Sequence, residues 1–193
     1  MKHRMIKDVP LSATRSIKEL VLDQEDFYRS FRMKCDFSQV IIPKRRKGFN
    51  RLIIVAKGMT AERVYNQCKK EFVCQQKFTN SVFDDERDPQ NRAYAIWVRD
   101  VVEADEEHAN KSANDIEREK LTTETLLERF LHGYKFYKET GRHLDVENVT
   151  LCAGSRGAGG IVPHVGWYDV ELRVHLYSSD YVYDRLRSRE VVS

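Results

Sequence analysis

Apolar residues recur at helical spacing in two stretches of the chain. The first stretch follows Ser16 and Glu19, whose separation is that of a capping box. It predicts a helix over residues 16–33 with one continuous apolar stripe. The second predicts a helix over residues 122–140 that ends at Gly141, since glycine commonly terminates a helix. The stripe of this second helix consists of Leu126, Leu127, Phe130, Leu131 and Tyr134, with Glu124, Glu128 and Lys135 outside it.

Short runs of apolar and β-branched residues predict the strands. Residues 52–55 form a continuous apolar run, which is typical of a strand buried on both faces. Residues 93–98 combine aromatic and β-branched side chains, and residues 40–42 and 149–151 predict shorter strands. The last segment, residues 178–193, is mostly polar and is expected to be mobile.

A hairpin is predicted near the C-terminal end of the sequence, with Asp169 and Val170 at its turn. This register places His164 directly opposite His175. One face of the hairpin then carries Val165, Trp167, Leu172, Val174 and Leu176, and the other carries His164, Gly166, Tyr168, Glu171, Arg173 and His175.

Helices and strands mix along the chain without strict alternation. This order predicts an α+β fold, in which helices pack on one face of a mainly antiparallel sheet. The central elements follow the order β-α-β-β-α-β of a ferredoxin-like core, to which the C-terminal hairpin is added. We divide the chain into an N-terminal helix and basic turn, residues 1–48, and a single α+β domain, residues 49–193.

The composition is that of an ordinary globular protein, with 41% of the 193 residues hydrophobic and 33% charged. The sequence contains no Cys-x-x-Cys pair, which argues against a zinc ribbon or a dense disulfide framework. The N-terminal residues hold no apolar run of a signal peptide, and no segment reaches the length of a transmembrane helix. We therefore expect a cytoplasmic protein with free thiols, no membrane contact and no cofactor. The four cysteines are Cys35, Cys68, Cys74 and Cys152.

The net charge of +3 conceals an asymmetry along the chain. Residues 1–83 hold 18 basic and 8 acidic side chains, whereas residues 84–147 hold 10 and 17. Either the two halves attract one another within the fold, or the basic half faces a polyanion such as RNA or DNA. Four consecutive cations predict an exposed basic turn, which is either solvated or in contact with phosphate groups. This predicted nucleic-acid-binding site consists of Lys44, Arg45, Arg46 and Lys47.

A glycine-rich loop, residues 152–160, is the first candidate for a small-ligand site. Glycines let successive backbone N–H groups point inward and bind an anion, and an arginine adds a bidentate donor. The loop lacks the lysine of a P-loop, and Pro163 follows it where a dinucleotide fingerprint needs a helix. A flexible connection between strands is the alternative. The predicted anion site consists of Cys152, Gly154, Ser155, Arg156 and Gly157.

Two further groups carry side chains that bind metals. The opposed pair His164 and His175 would share a metal ion, unless both are ordinary solvated histidines on a sheet face. The third ligand of that site is left open among Glu171, Cys152, His132 and His143. An acidic run suits Mg²⁺, but clustered carboxylates suit the first turn of a helix equally well. This run consists of Asp100, Glu103, Asp105, Glu106 and Glu107, with His108.

Two segments, AYAIWVRDVVEADEEHANKSAND and TGRHLDVENVTLCAGSR, resemble a group of uncharacterised proteins encoded in environmental bacterial genomes. The resemblance runs over residues 49–193. It implies a bacterial-type source and carries over no activity and no functional residue.

These observations favour a non-catalytic cytoplasmic binding module, whose partner is nucleic acid or another protein chain. The basic N-terminal half would make the contact with nucleic acid. One alternative is a small enzyme whose site gathers Cys152, Ser155, Arg156, His164 and His175 around the glycine-rich loop. Another is a subunit of a protein assembly, whose N-terminal helix docks on another chain.

Overall fold

The computed structural model describes residues 15–75 and 83–193, which form four α-helices and eight β-strands. The helices are α1 (Ile17–Phe27), α2 (Ala61–Cys68), α3 (Ala113–Arg118) and α4 (Leu126–Thr140). The strands are β1 (Phe49–Val55), β2 (Phe83–Asp85), β3 (Tyr94–Arg99), β4 (Val149–Leu151), β5 (Ser155–Gly157), β6 (Ile161–Tyr168), β7 (Glu171–Ser178) and β8 (Leu186–Ser188). Short 3₁₀ turns occupy Tyr28–Phe31, Glu106–His108 and Ala158–Gly160.

The described strands form three sheets. Strands β1 and β3 pair antiparallel, and so do β2 and β5. The third sheet has the order β7-β6-β4-β8, in which only the β4–β8 pair is parallel. The predicted α+β class is confirmed. The ferredoxin-like core is unconfirmed, because its strands would share one sheet whereas β1 and β3 lie apart from β4 and β6 here.

Helix α1 packs on β1 and contributes to the main core. Its apolar stripe continues into the following 3₁₀ turn, so Leu20, Tyr28 and Phe31 are buried together with the β1 side chains. Two polar side chains fix the contact: Gln24 donates to Leu52 O at 2.6 Å, and the Tyr28 hydroxyl donates to Ile54 O at 2.7 Å. The apolar stripe of the N-terminal helix thus packs into the core of the same chain.

Helix α4 runs through the middle of the protein. It packs against α2 and β1 and also against β6 of the four-stranded sheet. The helix begins later than residue 122 because Thr125 and Glu128 form a capping box, and it ends at Gly141 as predicted. Packing on several sides buries charged positions outside the apolar stripe. The buried acidic, basic and histidine side chains of α4 are Glu128, Arg129, His132 and Lys135.

The predicted hairpin register is confirmed. His164 pairs with His175 and Trp167 with Leu172, and Asp169 adopts a left-handed φ of 54° at the turn. Val165 and Leu172 belong to the main core, against which Trp167 packs. The opposite face carries Tyr168, which packs instead on a second cluster around α3, β4 and β8.

Two local predictions are wrong. Residues 40–42 form no strand, although Val40 and Ile41 line a common groove with Tyr94 and Ala95 of β3. The C-terminal segment belongs to the fold, since β8 pairs with β4 and Val192 bonds the backbone of Trp97. Arg189 is only 2% exposed, and its guanidinium group can be buried because it pairs with other buried groups. None of the helices described here has the length and apolarity needed to cross a lipid bilayer.

Candidate functional site

The basic turn, residues 44–47, projects into solvent from an anchored base. All four of its cations are exposed. The Trp97 indole donates to Pro43 O at 2.9 Å before the turn, and Phe49 N donates to Arg46 O at 3.1 Å after it. Arg46 also forms an ion pair with Glu190. The turn is therefore held in one place while the other cations, Lys44, Arg45 and Lys47, form no ion pair with any described residue.

The glycine-rich loop is largely structured. Ser155–Gly157 forms β5 and pairs with β2, so this part is not a free connection. The Arg156 guanidinium donates to Ala153 O at 2.9 Å and to Ala113 O at 3.2 Å, and it lies 3.6 Å from a Glu117 oxygen. The predicted anion-binding arginine therefore already has partners.

A cavity of about 220 Å³ lies beside Arg156. Its polar lining is mainly acidic, which opposes the entry of an anion. Burial raises the pKa of Asp85 to about 6, although a hydrogen bond from Ser155 lowers it. The anion site remains a prediction, and these surroundings do not favour it. The carboxylates that line the cavity are those of Asp84, Asp85, Glu86 and Glu117.

Cys152 and Ser155 are poorly placed for nucleophilic chemistry. Cys152 is fully buried, and burial raises the pKa of its thiol well above the ordinary value. The Ser155 hydroxyl donates to Asp85 and accepts from Leu126 N at 2.9 Å, so it ties β5 to the start of α4. Both residues thus serve packing and helix attachment.

The histidine pair lies among aromatic rings. His164 is buried, its ring centroid lies 4.9 Å from that of Tyr177, and burial lowers its pKa to about 4. His175 contacts Tyr168 edge-on at 5.4 Å. Within residues 15–75 and 83–193, the one group of three convergent His, Cys or acidic ligands lies elsewhere. The shared metal remains a prediction, and no third ligand of these types supports it in the described structure.

The acidic run is dispersed by the fold. Asp100 pairs with Arg51, and the Glu103 carboxylate accepts from the backbone N–H of Val146 at 3.1 Å. Three of the predicted Mg²⁺ ligands do converge, with donor atoms within 4.8 Å of one another: Asp105, Glu107 and His108. The Arg99 guanidinium pairs with both of those carboxylates and so supplies a positive charge at this position.

A buried ion-pair centre went unnoticed in the sequence. Arg129 and Arg189 both pair with Asp145, at 2.7 and 2.6 Å, and all three side chains are at most 2% exposed. Burial alone would raise the pKa of Asp145, but Arg189 and Arg129 outweigh that effect and lower it. The three residues lie far apart in the sequence, so no local motif could reveal the centre.

Glu124 and His132 form a second buried pair beside that centre. The Glu124 Oε1 and His132 Nδ1 atoms are 2.7 Å apart, and both side chains are inaccessible to solvent. Burial raises the pKa of Glu124 to about 8 and lowers that of His132 well below its ordinary value. Burial thus favours the uncharged form of both groups. Because neither side chain reaches solvent, the pair is structural.

A wide groove of about 860 Å³ lies along the edge of β3 that faces away from β1, and we call it the β3-edge groove. Val40, Ile41 and Pro43 form one wall, and Tyr94 and Ala95 form the opposite side. Charged side chains line its rim: Asp36, Glu86, Arg87, Asp88 and Arg92. This site went unpredicted because residues 40–42 were expected to be a paired strand.

Comparisons with protein-family models, with curated proteins and with solved structures found no match for this chain. The resemblance to environmental bacterial proteins therefore stays a prediction. The function has to be argued from the sites themselves.

Proposed function

We propose that this protein is a non-catalytic binding module that contacts nucleic acid through the basic turn, residues 44–47. The observation that supports the proposal is the presentation of this turn. Four exposed cations stand on a loop that is anchored on both sides, by Pro43 to the Trp97 indole and by Arg46 to Phe49 N. An anchored loop loses little conformational entropy when its cations meet phosphate groups.

The contact would be made to the sugar-phosphate backbone, without reading of sequence. The turn offers charged side chains and no exposed ring, because Trp97 and Phe49 beneath it are buried. Lys44 and Lys47 form no ion pair with a described residue, Arg45 lies over the Trp97 ring at 5.6 Å, and Arg46 is engaged by Glu190. We expect weak, salt-sensitive binding, with a dissociation constant on the order of 10⁻⁴ to 10⁻⁶ M at physiological salt. The proposal places the module in the cytoplasm, where its four unpaired cysteines would remain reduced.

The geometry lends less support to the enzyme alternative. A catalytic site would need Cys152, Ser155, Arg156, His164 and His175 to line a common pocket. The cavity beside Arg156 has Gly154 and Ala153 in its lining, but neither histidine, Cys152 nor Ser155. No observation among the described residues therefore favours catalysis.

The test compares the unmodified protein with two charge-neutralised variants by fluorescence anisotropy on labelled single-stranded RNA and duplex DNA. The first variant is Lys44→Gln/Arg45→Gln/Lys47→Gln. The matched control, Lys57→Gln/Lys69→Gln/Lys70→Gln, removes the same charge from exposed positions of the same basic half. Each lost duplex phosphate contact should reduce the slope of log K against log salt by about 0.9. We expect that reduction for the turn variant alone.

The proposal fails if the unmodified protein shows no binding at low salt. It also fails if both triple variants weaken binding equally, since net charge rather than the turn would then account for the affinity.

A further inference from the structure

The edge of β3 that faces away from β1 is occupied by Val192 at Trp97 and has no described hydrogen-bond partner at Ala95. In an antiparallel pair, the N–H and C=O groups of one residue point to the same side, and those of the next residue point to the other side. Trp97 bonds Val192 through both groups, at 2.9 and 3.0 Å, so it points away from β1. Ala95, two residues earlier, points the same way, into the β3-edge groove. None of the described residues provides it with a hydrogen bond on that side.

The groove also has room for a chain beside this edge. Ala95 and Trp97 project from the same face of β3, since side chains alternate along a strand. The Trp97 indole reaches Pro43 and fills the space beneath it. At Ala95 only a methyl group is present, and Ala95, although only 4% exposed, lines the groove.

The opposite wall has the composition of a strand. Val40 and Ile41 belong to a β-branched run that favours strand structure but has no ladder partner in the fold. Ile41 is 84% exposed although it is a large apolar residue. An exposed apolar wall facing an unpaired strand edge is the geometry used in peptide recognition by strand addition.

The charges at the rim indicate the kind of peptide. Arg87 is neutralised by Glu86 and by the buried Glu128. Asp36 and Asp88 form no ion pair with a described residue. The Asp36 carboxylate is hydrogen-bonded by the backbone N–H and the side chain of Ser38, and the Asp88 carboxylate accepts from the backbone N–H of Gln90. Among the rim residues, Arg92 is the one cation that could offset these two carboxylates. The rim therefore complements a basic side chain better than an acidic one.

We propose that the β3-edge groove binds an extended peptide of a partner protein, which adds as a strand to β3 at Ala95. Alternate apolar side chains of the peptide pack on Val40 and Ile41, and a basic side chain faces Asp36 and Asp88. This site is distinct from the basic turn, so either proposal can fail without the other.

The experiment uses the full chain labelled with ¹⁵N-alanine. The probes are short blocked peptides that alternate valine and threonine and carry Lys, Ala or Glu at the central position. The lysine peptide should shift the Ala95 amide resonance and slow its hydrogen exchange, with weaker effects from the alanine peptide and the weakest from the glutamate peptide. N-methylation of the peptide at alternate amides should abolish binding, and methylation one residue along should not, because only one set of amides faces β3.

Two variants complete the test. Ile41→Ser should weaken binding of the lysine peptide about tenfold, as expected for the loss of one buried apolar side chain. Val170→Ser is the matched control, because Val170 is also a largely exposed apolar residue, at 71%, and lies in the β6–β7 turn. Unchanged exchange at Ala95 with all peptides would overturn the proposal, as would equal effects of the two substitutions or of the two methylation patterns.

Discussion

At the scale of single residues, the stability of the protein's centre depends on how a few buried charges are paired. Arg189 donates to Asp145 and also to the backbone carbonyls of Val101 and Val102, at 3.2 and 2.6 Å. Arg129 shares the same carboxylate and hydrogen-bonds Thr150 at 3.2 Å. Buried ion pairs of this kind tolerate the removal of one partner poorly, because the remaining charge is left without compensation. Asp145 therefore compensates the buried charge of both arginines.

Glu124 makes stability depend on pH, and the sign follows from its raised pKa. The folded protein holds the proton of Glu124 up to about pH 8, whereas an unfolded chain releases it near the ordinary value of 4.5. Stability from this group is thus present at low pH and is lost as pH rises toward 8, by up to about 1.4 kcal/mol per unit. His132 and His164, whose pKa values are lowered by burial, act in the opposite direction near the ordinary value of 6.5. The decline should therefore be measured as the difference in urea-unfolding free energy between the unmodified protein and Glu124→Gln from pH 6.5 to 8.

The Glu124→Gln variant provides the control for that measurement. Glutamine keeps a polar partner for His132 but cannot ionise, so the unmodified protein should lose stability relative to this variant between pH 6.5 and 8. If the variant declines as steeply as the unmodified protein, another group is responsible.

At the scale of elements, local signals located the start of α1 and the register of the hairpin, but not the start of α4 at the Thr125–Glu128 capping box. Ser16 begins α1 through the predicted capping box, and the hairpin register follows from alternation alone. Helix α4 shows what local sequence signals cannot predict. Its apolar stripe was recognised, but the charged positions beside that stripe are buried by β1, α2 and β6, which come from distant parts of the chain. The β3-edge groove escaped prediction for the same reason.

The start of α4 offers a test at this scale. The Thr125 hydroxyl accepts from Glu128 N at 3.2 Å, and the Glu128 carboxylate accepts from Thr125 N at 2.8 Å. Thr125→Ala should lower the free energy of unfolding by about 1–2 kcal/mol, measured by urea denaturation, because a buried helix N–H loses its acceptor. Thr125→Ser keeps the hydroxyl and should lose much less. Equal losses would mean that the threonine methyl group matters and the cap does not.

At the scale of the whole molecule, the charge asymmetry is partly internal. Arg51 of the basic half pairs with Asp100 and Glu139 of the acidic half. Other contacts run the opposite way, since Lys135 pairs with Asp23 and Lys138 with Glu71. Attraction between the halves alone therefore cannot explain the net asymmetry. The cations of the basic turn that form no ion pair contribute to this asymmetry at the surface.

The C-terminal segment ties these parts together, which gives a prediction for the whole fold. Removal of residues 186–193 deletes β8, the Arg189 partner of Asp145 and the Val192 contact with Trp97. We expect the shortened chain to lose its cooperative thermal transition in circular dichroism. Removal of the exposed Ser193 alone should leave the transition unchanged. A cooperative transition in the longer deletion would show that the core forms without Arg189.

The parallel pairing of β8 with β4 has a consequence for biosynthesis. Parallel strands join residues that are distant in sequence, and such contacts form late because a long loop must close first. While the ribosome is still adding the residues before Arg189, Asp145 and Arg129 have no complete set of partners. Until almost all of residues 1–193 have emerged, the central helix and the apolar strands are therefore incompletely packed and can associate with other chains.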